Sequence, residues 1–239
     1  MSTRTANSGR FTFPGGVHPP DSKELSRNKA IEASLTSDTV TIMLSQHVGA
    51  PCNPMVEKGD EVERSQKIGD NEAFISAPIH SPVKGKVKEI SLQPHAVLGR
   101  AQGIVIQADT EQSEAKQPVA DQFDETFDTD KYSGDDITSA VKDAGIVGMG
   151  GAGFPTHVKV MHDPKSPKET LIINGCECEP YITCDHRVML EWTYQMIAGA
   201  RLVQKSTQCP KAYIAVEDNK PEVIETLTEA VEKSRGTEN

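Results

Sequence analysis

The sequence predicts an α/β protein, with a small all-β unit followed by a unit of alternating helices and parallel strands. Three observations predict it. Between Thr39 and Ala108, short apolar stretches are punctuated by glycines, the pattern of short strands joined by turns. Further on, Thr170 to Asn174 and Ala212 to Val216 are apolar runs without alternation, which suits strands buried on both faces of a parallel sheet. A segment of helical period lies between them, and a glycine-rich loop, Gly148 to Gly153, precedes the first; helix between parallel strands is the connection such a sheet requires.

In chain order, residues 1–38 read as an extension containing the segment GGVHPP. Met1 to Arg10 is polar and lacks the apolar core of a secretory signal. No apolar run approaches the roughly 18 residues a membrane helix needs. These features give the expectation of a cytoplasmic protein with no membrane span of its own.

Residues 39–108 form the β unit. Val40 to Leu44 is its first strand, Gly59-Asp60 and Gly69-Asp70 are placed at turns, Val83, Val87 and Ile90 mark strands interrupted by Gly85, and GIVIQAD closes it. This succession resembles the barrel-sandwich architecture of lipoyl and biotinyl carrier domains. Such a carrier presents a modifiable lysine at its tip. The corresponding stretch here is DNEAFIS, so a structural or docking role is expected instead.

Residues 109–131 read as an acidic linker. Between Asp109 and Asp136 ten acidic residues face only Lys116 and Lys131, giving −8 of the chain's formal net charge of −10. A segment of this kind stays solvated, and nucleic-acid binding has no support. The hydrophobic content of 36% leaves room for such a segment in a chain of 239 residues.

Residues 132–239 form the α/β unit. Asp135 is placed as the cap of a helix ending near Gly145. Asp185 opens a helix carrying Val188, Met189, Trp192, Met196 and Ile197 at helical spacing, with Trp192 and the methionines in the core. Asn219 is placed as the cap of a last helix, with Pro221 in its first turn.

The chemistry concentrates in GMGGAGFPTHVK, Gly148 to Lys159, and in NGCECEP, Asn174 to Pro180. Gly148, Gly150, Gly151, Ala152 and Gly153 put five small residues in six positions. They let a backbone approach a ligand closely, adopt positive φ and converge its N–H groups on an anion. Lys159 follows where a cation can neutralise a phosphate. The loop reads as an anion site, with a glycine turn that merely packs a strand on a helix as the alternative. It fits neither G-x-G-x-x-G with an acid about 20 residues on nor G-x-x-x-x-G-K-[ST]. NGCECEP and the later Glu217-Asp218-Asn219 follow the two parallel strands, at the ends where α/β proteins bind cofactors, and are expected to border one crevice.

The five cysteines, Cys52, Cys176, Cys178, Cys184 and Cys209, are read as reduced thiols. C-x-C-x5-C matches neither the usual zinc pairs nor a ferredoxin run, and no metal site is expected. The seven histidines show no ligand spacing. His157 lies close enough to the glycine loop to approach a phosphate.

These motifs, together with FPGGVHPPDSK near the start and VEDNKPEVI near the end, resemble the C subunit of the Rnf ion-translocating electron-transport complex. The core of that family is related to the flavin- and NADH-binding subunit of respiratory complex I. The resemblance implies a Rossmann-like FMN- and NADH-binding domain of the complex I flavoprotein type. It implies FMN contacts from Gly148, Gly150, Gly151, Gly153 and Phe154, with Lys159 on the phosphate and Asn174 on the flavin ring or ribityl chain. Glu217 and Asn219 are weaker FMN candidates, while Glu179 and Glu177 would meet the nicotinamide nucleotide. No catalytic residue is implied, because hydride passes from cofactor to cofactor.

The resemblance also implies a peripheral subunit on the cytoplasmic face of the inner membrane. Its partners would be the complex's membrane subunits and a ferredoxin-type electron carrier. Family members usually continue into a ferredoxin-like region whose cysteine runs bind 4Fe-4S clusters. No such run precedes Asn239, which implies either a fragment or a form without cluster-borne transfer. Two further readings stand beside this one: a soluble flavoprotein of a related hydrogenase or dehydrogenase, and a non-catalytic scaffold.

Overall fold

The structure is a computed structural model that describes residues 19–32, 37–109, 123–149 and 151–235. Gly150, the GGVH residues of the N-terminal extension and much of the acidic segment lie outside the described residues.

Two antiparallel sheets build the β unit. In one, β1 (Thr39–Met43) pairs with β7 (Gly99–Ala108), β7 with β6 (Gly85–His95), and β6 with β3 (Glu61–Val62). The other orders β2 (Asn53–Pro54), β4 (Lys67–Asp70) and β5 (Ile79–His80). Ile104 and Ile106 are fully buried on β7, alternating with half-buried Val105 and Gln107. This is the period-2 signature of a sheet with one face on the core. The core gathers Leu44, Cys52, Val56, Val62, Ile68, Ile79 and Val87 with those isoleucines. Each such aliphatic side chain contributes about 1.5–3 kcal/mol.

Gly59 occupies its expected turn, at φ +102°. Gly69-Asp70 does not: both residues lie in β4, opposite Pro54 and Asn53 of β2. Gly69 serves close packing there, since a Cβ would stand 3.1 Å from Leu44 Cδ2 and 3.3 Å from Cys52 Cβ. The register of β4 against β5 also shifts between Lys67 and Gly69, a place where glycine is favoured.

In the α/β unit, α1 (Gly134–Asp143) is capped by Ser133 rather than Asp135. The Ser133 hydroxyl accepts from Asp136 N–H, and the Asp136 carboxylate accepts from Ser133 N–H, a complete capping box. At the other end Gly145 N–H donates to Lys142 O and Ile146 N–H to Val141 O, a Schellman motif with Gly145 at φ +67°. After the glycine loop comes the short α2 (Thr156–Val160), then β8 (Thr170–Gly175), α3 (Cys184–Glu191), α4 (Thr193–Thr207), β9 (Lys211–Val216) and α5 (Pro221–Arg235).

Strands β8 and β9 run parallel in register from Thr170 opposite Lys211 to Gly175 opposite Val216. One face of this pair packs on Met189, Val223 and Leu227 through Ile214 and Val216. The other leaves Ile172 62% and Tyr213 50% exposed. The single helix expected from Asp185 is two, broken at Trp192 (φ −124°, ψ 39°). There the Thr193 hydroxyl donates to Met189 O at 2.7 Å, offering the preceding turn an alternative to the helical ladder. Met189 is core as expected, whereas Trp192 is half-buried. Lys220, not Asn219, immediately precedes α5.

Two further segments pack on this unit. Residues 123–131, from the end of the acidic stretch, lie on α4, where Arg201 and Lys205 donate to Phe127 O and Thr129 O. Residues 21–31 lie along the chain after β8: Tyr181 N–H donates to Asp21 O at 2.7 Å, and Ile31 N–H to the Glu191 carboxylate. Among the described residues no helix is long and apolar enough to cross a membrane.

Candidate functional site

The glycine loop is an excursion closed at its base. Thr156 N–H donates to Ile146 O and Gly148 N–H to Phe154 O, both at 2.9 Å, around a bridge between Val147 and Pro155. Residues 148–149 and 151–154 therefore project as a loop directly before α2. Met149 at its tip is 92% exposed, Gly151 faces open space, and Phe154 is half-buried. The Lys159 ammonium folds back onto the loop: a Cβ on Gly148 would lie 3.3 Å from Lys159 Nζ. Among the described residues Lys159 has no ion-pair partner.

The β unit braces this loop. Val48 N–H donates to Gly153 O at 3.1 Å, with Gly153 at φ +62°. A cleft of about 230 Å³ between the units is lined by Gln46, His47, Pro78, His80, Gly145 and Val147. His157, on α2, is buried and its Nδ1 has no hydrogen-bond partner among the described residues. Burial lowers its pKa, against a hydrogen bond to the Phe74 backbone that raises it, with the Lys142 charge adding to the lowering. Phe74 belongs to DNEAFIS, so the tip where a carrier would bear its lysine lies instead against α2.

At the carboxyl ends of β8 and β9 the structure separates the expected acidic residues. Asn174 is exposed at the end of β8, and its side-chain oxygen accepts Cys176 N–H at 3.1 Å. Glu177 turns inward and is only 5% exposed. Its carboxylate accepts Asp185 N–H at 2.8 Å and His186 N–H at 3.4 Å, capping α3 from outside the helix, because the residue before it, Thr183, makes no side-chain cap. Lys23 lies 4.0 Å from the same carboxylate and donates to Glu177 O. Glu179 is exposed, with no ion pair among the described residues.

Glu217 pairs with the buried Lys220. That bond, more than anything else, holds its carboxyl below the usual range, and a hydrogen bond from the Glu177 backbone adds to this. Asn219 is exposed in the turn between them. The NGCECEP and EDNK loops thus meet through the Glu177 backbone and the Glu217 carboxylate. No hydrogen bond among the described residues joins either to the glycine loop.

Glu177, Cys184 and Asp185 bring their ligand atoms within 4.8 Å of one another. Cys184 donates to Glu177 Oε1 at 3.3 Å. Burial, and then the Glu177 carboxylate, push up both the Cys184 thiol and the Asp185 carboxyl. Cys176 and Cys178 are exposed and stand outside this group.

Sequence reasoning missed Lys23, Lys220 and Val48 as parts of these loops. Lys220 left a trace, a cation three residues after Glu217. Lys23 left none, being 154 residues from its partner.

Known proteins share this architecture. Residues 11–111 match the family model of the RnfC barrel-sandwich hybrid domain, and residues 141–238 that of the Nuo51 FMN-binding domain. The chain is 41% identical over 224 residues to the C subunit of the proton-translocating ferredoxin:NAD(+) oxidoreductase complex of Clostridium ljungdahlii, covering 94% of this chain and 48% of that protein. It is 40% identical over 220 residues to the Na(+)-translocating counterpart of Acetobacterium woodii, covering 92% and 48%. With the C subunit of the ion-translocating oxidoreductase complex of Rhodobacter capsulatus, identity is 34% over 218 residues, covering 91% and 41%. The chain spans less than half the length of the relatives it matches. A barrel sandwich followed by an FMN-binding-type α/β unit, matched along nearly the whole chain, places it in the family of C subunits of ion-translocating oxidoreductase complexes.

Proposed function

We propose that this chain holds FMN on its glycine loop and presents it to NAD(H), as the flavin-bearing part of a peripheral subunit of an ion-translocating electron-transport complex. The observation that carries this reading is the Lys159 ammonium folded onto Gly148 without a carboxylate partner among the described residues. An unneutralised cation against a loop of small residues is matched to a phosphate. The loop also fits the group sterically, because Gly151 leaves open space where a side chain would stand.

Bound flavin would exchange two electrons with a nicotinamide and single electrons with iron–sulfur carriers. The protein's task is to bind and orient. Lys159 neutralises the phosphate, and the loop's backbone N–H groups, with Phe154 beside them, shape the pocket. The Asn174 amide nitrogen has no partner among the described residues and can donate, while its oxygen holds Cys176 N–H. Glu179, exposed and outside any ion pair among the described residues, accepts hydrogen bonds from a nucleotide ribose or carboxamide. Glu177 and Glu217 act differently, fixing the loop through Lys23, Lys220 and the start of α3. Other subunits of an ion-translocating complex and a ferredoxin complete this reading, following the names of the relatives, and the resemblance adds membrane subunits and a position on the cytoplasmic face.

The experiment is a visible absorbance spectrum of the FMN-reconstituted chain before and after anaerobic NADH. Bound flavin that bleaches supports the reading. Absence of bound flavin overturns it, and bound flavin that stays oxidised removes the nicotinamide step.

A further inference from the structure

We propose that His47, in the β unit, is a positioning residue for the glycine loop, so that the barrel sandwich acts as a brace for an anion site in the neighbouring unit. This rests on the flavin reading above.

The brace consists of three links. First, residues 46–50 are fastened to residues 75–77. Ala50 N–H donates to Ile75 O at 3.0 Å, and the Ser76 hydroxyl donates to Ala50 O at 3.0 Å. Gly49, at φ +101°, sits so close that a Cβ would fall 2.0 Å from Ile75 O. Second, the His47 ring locks this junction from inside. Its Nδ1 lies 3.0 Å from Val48 O, and its Nε2 lies 3.2 Å from Ala77 N.

Nε2 also lies 3.1 Å from Ala77 O; because Val48 O can only accept and Ala77 N–H can only donate, the tautomer with its proton on Nδ1 and Nε2 bare is the one that satisfies both of those contacts. Cys52 Sγ–H donates to Ala77 O at 3.1 Å, so that carbonyl has a donor without the ring. Third, Val48 N–H holds Gly153 O at 3.1 Å. A Cβ on Gly153 would stand 3.2 Å from both Gln46 O and His47 Cα. The same peptide segment that His47 fixes thus carries the end of the glycine loop.

A loop held before its ligand arrives spends less free energy on ordering at the moment of binding. The benefit falls on the part of the ligand that the loop contacts, which is the phosphate.

The test titrates the full chain with FMN and with riboflavin, which lacks the phosphate, following flavin fluorescence, and records hydrogen exchange at the Val48 amide. His47→Ala is expected to weaken FMN binding by about tenfold, the scale of one ordered loop contact. Riboflavin binding should change by less than about twofold on the same scale, and the Val48 amide should lose protection. His47→Asn, which keeps an N–H for Val48 O, is expected to recover most of the FMN affinity.

His47→Gln keeps an acceptor for Ala77 N–H but cannot reach Val48 O. It should lose FMN selectively, and it carries the test if the alanine variant does not fold. Equal losses for FMN and riboflavin, or no loss for either, overturn the inference while the flavin reading stands. A wild-type chain that binds no flavin overturns the functional reading, and the inference falls with it.

Discussion

The carboxylate of Glu177 accepts the backbone N–H of Asp185 at 2.8 Å, so an acidic residue on the loop after β8 supplies the cap that α3 lacks. Replacing Glu177 by Ala strands two helix N-terminal amides and removes the carboxylate 4.0 Å from Lys23, whose ammonium keeps its bond to the residue 177 carbonyl. The expected cost is about 1–3 kcal/mol, read as a lowered urea midpoint with an unchanged slope. Glu177→Gln keeps an acceptor for the amides and should lose less. Two variants as stable as wild type would remove the capping role.

Glu179, two residues on, is expected to behave oppositely. It is exposed and has no ion pair among the described residues, so Glu179→Ala should alter stability by less than about 0.5 kcal/mol. The same variant should slow flavin reduction by NADH while leaving FMN affinity unchanged. Stopped-flow absorbance separates the two effects, and an unchanged reduction rate would take Glu179 out of the nucleotide site.

For Lys159 the expected signature is loss of affinity without loss of fold. A charge-assisted bond to phosphate is worth about 1.5–3 kcal/mol, so Lys159→Ala should weaken FMN binding by roughly 10- to 100-fold. Melting temperature should move little, because the side chain is exposed and its partner would be the ligand. Lys159→Arg should retain part of the affinity.

Between neutral and mildly acidic pH, His157 contributes to the pH dependence of stability. Its folded-state pKa lies below the ordinary 6.5, so the native state binds fewer protons than the unfolded chain in the window between the two. Stability from this group is complete above about pH 6.5 and is lost as pH falls through the lowered value. His157→Gln should flatten that part of the stability–pH curve measured by denaturation from neutral to mildly acidic pH. A slope identical to wild type would show that other groups carry the acid sensitivity.

Much of this architecture is legible in the chain. Two unalternating apolar runs locate β8 and β9 to within a residue, and Gly145 marks the end of α1, because positive φ after a helix has few other residues to serve it. Other features depend on relations that sequence does not display. Glu177 and Glu179 look equivalent in CECEP, and only the position of α3 turns one inward as a cap while the other faces solvent. The break at Trp192 hides inside a continuous helical period, with no Gly or Pro to mark it. Gly69-Asp70 reads as a turn, yet Gly69 serves close packing beneath Leu44. The bond from Val48 to Gly153 joins residues more than a hundred positions apart.

A fluorescence titration of the wild-type chain and its Lys159→Ala variant with FMN probes the proposed phosphate site without relying on turnover. Stoichiometric binding is expected for the wild type and a loss of roughly 10- to 100-fold for the variant, with both proteins equally folded by circular dichroism. Equal FMN affinity in the two, or no binding by the wild type, would contradict the assignment of Lys159 and the glycine loop to the flavin phosphate.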